Sequence, residues 1–102
     1  MIHVIATIQV QEGRSEAFLR LLRELIPEVR AEAGCLGYEA ALDVMTSIPM
    51  QPPVRPDTVT VVEKWRDVAA LQAHLDAAHV AAFLTRARGM IRNLQLQVLE
   101  PA

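Results

Sequence analysis

Thr58-Val59-Thr60-Val61-Val62-Glu63-Lys64-Trp65-Arg66-Asp67-Val68-Ala69-Ala70-Leu71-Gln72-Ala73-His74-Leu75 changes its periodicity midway, and that change decides the fold. Val59, Val61, Glu63 and Trp65 alternate with Thr60, Val62 and Lys64, the two-residue repeat of a half-buried strand. Asp67 then stands as an N-cap for a helix whose apolar stripe is Val68, Leu71 and Leu75. Ala77-Ala78-His79 interrupts that helix, and a further helical run continues through Val80, Phe83, Leu84 and Ala87 to Gly89. A strand feeding directly into helix is half of a β-α unit, so the flanking segments determine what the unit belongs to.

Upstream, Ile2, Val4, Ala6, Ile8 and Val10 alternate with His3, Ile5, Thr7 and Gln9, a strand with one dry face. Ser15 is positioned to cap the helix that follows, whose stripe is Phe18, Leu21, Leu22, Leu25, Ile26 and Val29. Pro27 falls inside this pattern and is expected to kink or restart the helix, and Gly34 to end it. Leu36 to Met45 alternates again, with Leu36, Tyr38, Ala40, Leu42 and Val44 on one face. Prolines 49, 52, 53 and 56 make residues 46–57 a stiffened loop, of a length that covers a site or a partner or else stays disordered. Downstream, Leu94, Leu96 and Val98 alternate with Asn93, Gln95 and Gln97, a last strand over Ile91 to Leu99.

The resulting order, β-α-β-β-α-β with right-handed crossovers, is that of an α+β, ferredoxin-like domain: a four-stranded antiparallel sheet with the helices on one face. At 102 residues the chain fits one domain, 1–102. The opposite sheet face, carrying Ile5 and Leu99, needs covering, which predicts a symmetric homodimer with sheet facing sheet.

Composition narrows the function. A net charge of about −2 with acids and bases interleaved offers no basic stripe, so nucleic acid is not an expected partner. No apolar run approaches the ~18 residues of a spanning helix and no signal-type segment is present, which predicts no membrane insertion and a cytoplasmic location. Cys35, the single cysteine, cannot form an intrachain disulfide and reads as a small apolar filler at a strand start. Gly-rich phosphate loops, a G-x-S-x-G elbow and a Cys/His nucleophile pattern are absent.

Histidines are the remaining chemistry. His74 and His79 are five residues apart, so on an unbroken helix they diverge by about 140° and do not form the i, i+4 pair of a metal site. A break at Ala77-Ala78 turns both rings toward one cavity; without that, His74 is a boundary residue and His79 a polar helix start. Glu63, between Val61 and Trp65 on a half-buried face, needs a donor, and a histidine is the natural one. Trp65 and Tyr38 are core fillers or pocket walls, and His3 is a solvated, interface or substrate-side residue.

At Gly34-Cys35-Leu36-Gly37-Tyr38, Glu63-Lys64-Trp65, Ala70-Leu71-Gln72-Ala73-His74-Leu75 and His79, the chain resembles the antibiotic biosynthesis monooxygenase (ABM) domain family. Val4-Ile5-Ala6 followed by Gly13, and the closing alternation up to Leu99-Glu100-Pro101, agree with it, and the proline loop looks most like the branch that includes bacterial quinol monooxygenase. The resemblance implies a dimeric α+β barrel in which each monomer holds a pocket between sheet and helices. It implies oxygenation of quinol-like or polycyclic phenolic substrates with O2 as cosubstrate and no metal, flavin or other cofactor. On that footing His74 and His79 become the base and its anion partner and Glu63 their orienter, with Trp65, Tyr38 and His3 on the substrate side. A free imidazole near pKa ~6.5 and a free phenol near ~10 leave about 5 kcal/mol that the site must offset by stabilising the anion.

Other members of the family differ in chemistry. Haem-degrading ones carry an asparagine on the first strand, where this chain has Ala6 and Thr7, and a tryptophan about where His74 stands, so haem degradation is disfavoured. A proton-shuttling isomerase of a small phosphorylated carbonyl compound requires a cationic clamp, with Arg86, Arg88 and Arg92 as the candidates. A non-catalytic ligand-binding or dimerisation module on the same scaffold is the third reading.

Overall fold

A computed structural model describes residues 1–102. The elements are β1 (Ile2–Val10), α1 (Ser15–Arg30), β2 (Cys35–Ala41), β3 (Thr58–Trp65), α2 (Val68–Leu75), α3 (Ala78–Ala87) and β4 (Ile91–Leu99), with a 3-10 turn at Arg88–Met90 before the last strand. The strands form one antiparallel sheet in the order β2-β3-β1-β4. This is the ferredoxin-like α+β arrangement expected from the periodicity, with the second helical segment divided in two.

Register fixes which residues face the helices. Ile2, Val4, Ala6 and Ile8 of β1 lie opposite Trp65, Glu63, Val61 and Val59 of β3. On the far side of β3, Tyr38 is opposite Glu63 and Ala40 opposite Val61. These inward residues meet Phe18, Leu19, Leu22, Leu25 and Val29 of α1 in one core. Phe18, Leu22, Val29, Val4, Val59, Val61 and Trp65 are almost wholly removed from water, and each such aliphatic side chain contributes roughly 1.5–3 kcal/mol of transfer free energy.

Several local expectations are corrected. Ser15 is the first helical residue, not the cap; Arg14 precedes the helix, and the Ser15 hydroxyl donates to Asp57 Oδ1 at 3.0 Å. Pro27 sits in the last turn of an uninterrupted α1. Gly34 lies beyond the helix in the turn to β2, at φ +82°, and its carbonyl accepts the Arg66 amide at 2.8 Å. β2 ends at Ala41 rather than Met45, and a register shift between Cys35 and Gly37 leaves Leu36 exposed. On α2 the buried face is Ala70, Leu71 and His74, whereas Val68 and Leu75 are about half exposed.

The segment between β2 and β3 is held by its own polar contacts. Arg55 donates to Asp43 from its backbone and from Nε at 2.9 Å and from Nη2 at 2.8 Å, holding the Asp43 carboxyl well below the usual carboxylate range. Thr46 and Gln51 close the tip, with Gln51 Nε2 also donating to the Val44 carbonyl at 2.7 Å. No residue of this loop lines the cavity described below. No helix is long and apolar enough to cross a membrane.

Candidate active site

The junction between β3 and α2 builds the site. Trp65 ends the strand, and two residues later the Asp67 carboxylate accepts the Ala70 amide at 2.9 Å, starting α2 with no slack. So short a connection fixes the rotation of α2, and that rotation turns His74 onto the inner sheet face, where only 4% of it is exposed. Its ring is stacked on Trp65 at 4.7 Å between centroids and 35° between planes, and meets Tyr38 edge-on at 5.6 Å.

The polar partner of His74 is Glu32, which sequence reasoning did not single out. His74 Nδ1 lies 3.0 Å from Glu32 Oε2 and 3.2 Å from Oε1. α2 ends at Leu75, α3 begins at Ala78, and the break brings His79 Nε2 to 2.6 Å from the same Oε2. The break therefore does make the two rings converge, but on a carboxylate rather than on a shared cavity. A carboxylate only accepts, so the network assigns a proton to Nδ1 of His74 and to Nε2 of His79. Both hydrogen bonds of His74 use Nδ1, which leaves Nε2 as its free ring nitrogen.

Glu63 departs from expectation in its partner. Its Oε1 accepts from Trp65 Nε1 at 2.9 Å, not from a histidine. Burial pushes the Glu63 carboxyl up, against the pull of the Trp65 hydrogen bond and the nearby His74, with Glu32 adding to the rise. Burial likewise drives the Tyr38 phenol well above its usual range, reinforced by the charges of Glu63 and Glu32, so Tyr38 is a neutral hydrogen-bonding wall. The Cys35 thiol is raised chiefly by burial, in keeping with a filler role.

A cavity of about 110 Å3 opens between the sheet and the helices. Twelve of its 14 lining residues are hydrophobic, including Leu22, Leu25, Val61, Phe83 and Tyr38, and the other two are His74 and Glu63. Leu75, Leu84 and Leu94 line it while remaining 47%, 37% and 42% exposed, so its mouth lies between α2, α3 and β4. Trp65 stands behind His74 and is not a wall of the cavity. His79 faces a separate groove between α1 and α3. His3 points to the opposite sheet face, in register with Lys64 and Leu99, and does not join the others. Arg86 pairs with Glu24 at 3.2 Å, and no arginine or lysine lines the cavity. No group of three or more His, Cys, Asp or Glu side chains is arranged to hold a metal ion.

Glu32 escaped sequence reasoning because it lies just beyond the α1 pattern among Glu24, Glu28 and Glu39, with nothing local to distinguish it. The one available signal was a histidine forced inward, which must be partnered somewhere.

Comparison with known proteins identifies the family and the fold. The family model described as antibiotic biosynthesis monooxygenase matches residues 1–86, and the chain belongs to that family. It is similar to "Probable quinol monooxygenase YgiN" of Escherichia coli K12, 30% identical over 103 residues that cover 99% of this chain and 98% of that protein. Among solved structures, PA3566 from Pseudomonas aeruginosa is 33% identical with a TM-score of 0.81, over 99% of this chain and 93% of the other. SO0527 from Shewanella oneidensis is 28% identical with a TM-score of 0.77, over 97% of this chain and 92% of the other.

Proposed function

We propose that the protein is a cytoplasmic, homodimeric monooxygenase that oxidises a quinol-like aromatic with O2, without metal or flavin, using His74 as its base. The observation that carries this reading is an apolar cavity with His74 on its lining, an imidazole whose Nδ1 is taken up by Glu32 and whose Nε2 has no hydrogen-bond partner. Membership of the monooxygenase family and the likeness to the quinol monooxygenase YgiN support the reaction class. An engineered apolar cavity of roughly 150 Å3 holds a benzene ring, so in this cavity of about 110 Å3 a flat ring is partly enclosed and extends into the mouth.

The chemistry follows from the walls. His74 Nε2 takes the phenolic proton, and the imidazolium so formed sits beside the aromatic anion while Glu32 holds Nδ1. Excluding water strengthens that pairing and suppresses side reactions of reduced oxygen. The anion passes one electron to O2, the radical pair joins carbon to oxygen as a peroxide, and loss of water leaves a quinone carbonyl. Tyr38 and Glu63 orient the ring's oxygens by hydrogen bonding. A phosphorylated substrate is disfavoured by the lack of any cation on the lining.

The outer sheet face supports the dimer. Val62 and Leu99 are each 42% exposed there, flanked by Ile5, Thr7 and Thr60. Sedimentation of a monomer at micromolar concentration contradicts that part of the reading. Oxygen consumption by metal-stripped protein with reduced benzoquinols, naphthoquinols and anthrones tests the activity. Uptake above autoxidation that disappears in His74→Ala is the expected result, and no uptake across the panel shifts the assignment to an isomerase or a binding module.

A further inference from the structure

Glu32 faces two histidines in different surroundings. His74 has 5% of its side chain exposed, lies against the Trp65 ring and opens on the apolar cavity. His79 has 28% exposed and opens on a groove of about 250 Å3 lined by Glu24, Glu28, Phe83 and Arg86. Both ring nitrogens bond the same oxygen, Oε2. One carboxylate offsets one imidazolium. A second positive ring on it leaves an uncompensated charge in a half-buried position, so the two rings compete for the one carboxylate.

The groups around each ring decide which of them holds the charge. In the groove, Arg86 is paired to Glu24, leaving Glu28 as a further negative charge facing His79. Water reaches His79 as well. Around His74 stand Glu63, which burial disposes toward its neutral form, and the neutral phenol of Tyr38. Cys35, next along the sheet, carries a thiol that burial holds protonated. His74 is thus enclosed by aromatic and aliphatic side chains, whereas His79 meets solvent and Glu28, and a charge is better accommodated where water and an opposite charge reach it.

We propose that His74, Glu32 and His79 form a proton-exchange unit that holds one imidazolium, connecting the apolar cavity to the solvent of the α1–α3 groove. At rest the charge is on His79. When the phenol O–H breaks and its proton forms a bond to His74 Nε2, His79 gives up its Nδ1 proton to water, and Glu32 remains a carboxylate throughout. The return of the proton from His74 to the leaving peroxide oxygen recharges His79. His79 is thus a positioning and charge-setting residue that touches no substrate. The phenol arm rests on His74 being the base of the proposed oxygenation; the coupling between the rings does not.

Nuclear magnetic resonance of histidine-labelled protein without substrate measures the coupling directly. His79→Gln leaves Glu32 to serve His74 alone, so the midpoint of His74 titration moves to higher pH by about one pH unit. Glu32→Gln moves it lower, and His79→Lys, which keeps a cation beside Glu32, leaves it at or below the wild-type position. In turnover the acid limb of kcat/KM moves the same way in each variant, with KM on the plateau within about twofold of wild type. A His74 midpoint unmoved by His79→Gln overturns the exchange unit, even if oxygen uptake still requires His74. Midpoints that move as expected while His74→Ala retains full oxygen uptake overturn the base assignment and the phenol arm, and leave the coupling standing.

Discussion

Replacing Trp65 with Phe tests the packing of the site in a single substitution. The indole N–H donates at 2.9 Å to Glu63, a residue only 3% exposed. Losing a hydrogen bond to a carboxylate costs about 1.5–3 kcal/mol. Trp65 itself is fully buried, and the atoms lost on going to Phe leave a void of roughly 40 Å3, which at about 24 cal/mol per Å3 adds ~1 kcal/mol. The expected loss is therefore about 2.5–4 kcal/mol, or roughly 12–20 °C in Tm at about 5 °C per kcal/mol for a chain of this size. The sign of its pH dependence is fixed as well. Burial raises the Glu63 carboxyl above its unfolded value, so its favourable contribution is complete below the usual carboxylate range and fades as pH rises through the folded value. Taking away the Trp65 donor raises that folded value further, and the gap between variant and wild type widens as pH rises through the folded value. Urea melts followed by circular dichroism read both quantities, since the variant has lost the only tryptophan. A loss under 1 kcal/mol that is flat with pH refutes the bond between Trp65 and Glu63.

Other substitutions probe separate parts of the argument. Leu22→Ala removes a fully buried side chain that also lines the cavity; a loss of about 2–5 kcal/mol in urea melts is expected, and a loss near zero contradicts its place in the core. Gly34→Ala places a methyl 2.7 Å from the Ala70 Cβ at a backbone φ of +82°, so thermal melts are expected to show a loss of about 2 kcal/mol or more, and a neutral result contradicts the close approach of that turn to α2. Asp67→Ala deletes the α2 cap and lowers the urea midpoint at neutral pH. Because the Ala70 amide holds the Asp67 carboxyl below its unfolded value, that difference is present above the unfolded value and vanishes as pH falls through the folded one, and a difference that persists in acid contradicts the cap.

The strands were legible because alternation is a local property. Ile2–Val10, Thr58–Trp65 and Ile91–Leu99 were readable from their own residues, and Asp67 announced the helix after β3. The failures share a cause. Leu42, Val44 and Met45 continue the alternation of β2 in sequence, yet they are 58%, 68% and 83% exposed, because no strand lies beside them. Val68 and Leu75 look like the apolar stripe of α2, but a helix of eight residues is turned by its connection to β3, not by its own composition. That turn is what buries a histidine among aliphatic residues.

By itself the sequence determined the element order, the α+β class and the family, since each depends on periodicity and on motifs read along the chain. Only the tertiary structure decided the site. Glu32 is 42 residues from His74 and 47 from His79, a separation across which no local pattern acts. Their meeting depends on where α1 ends over the sheet and how α2 and α3 are rotated on it. The partner of a buried polar group is chosen by whatever the fold brings within about 3 Å, and one carboxylate among 12 acidic residues is singled out only by that proximity.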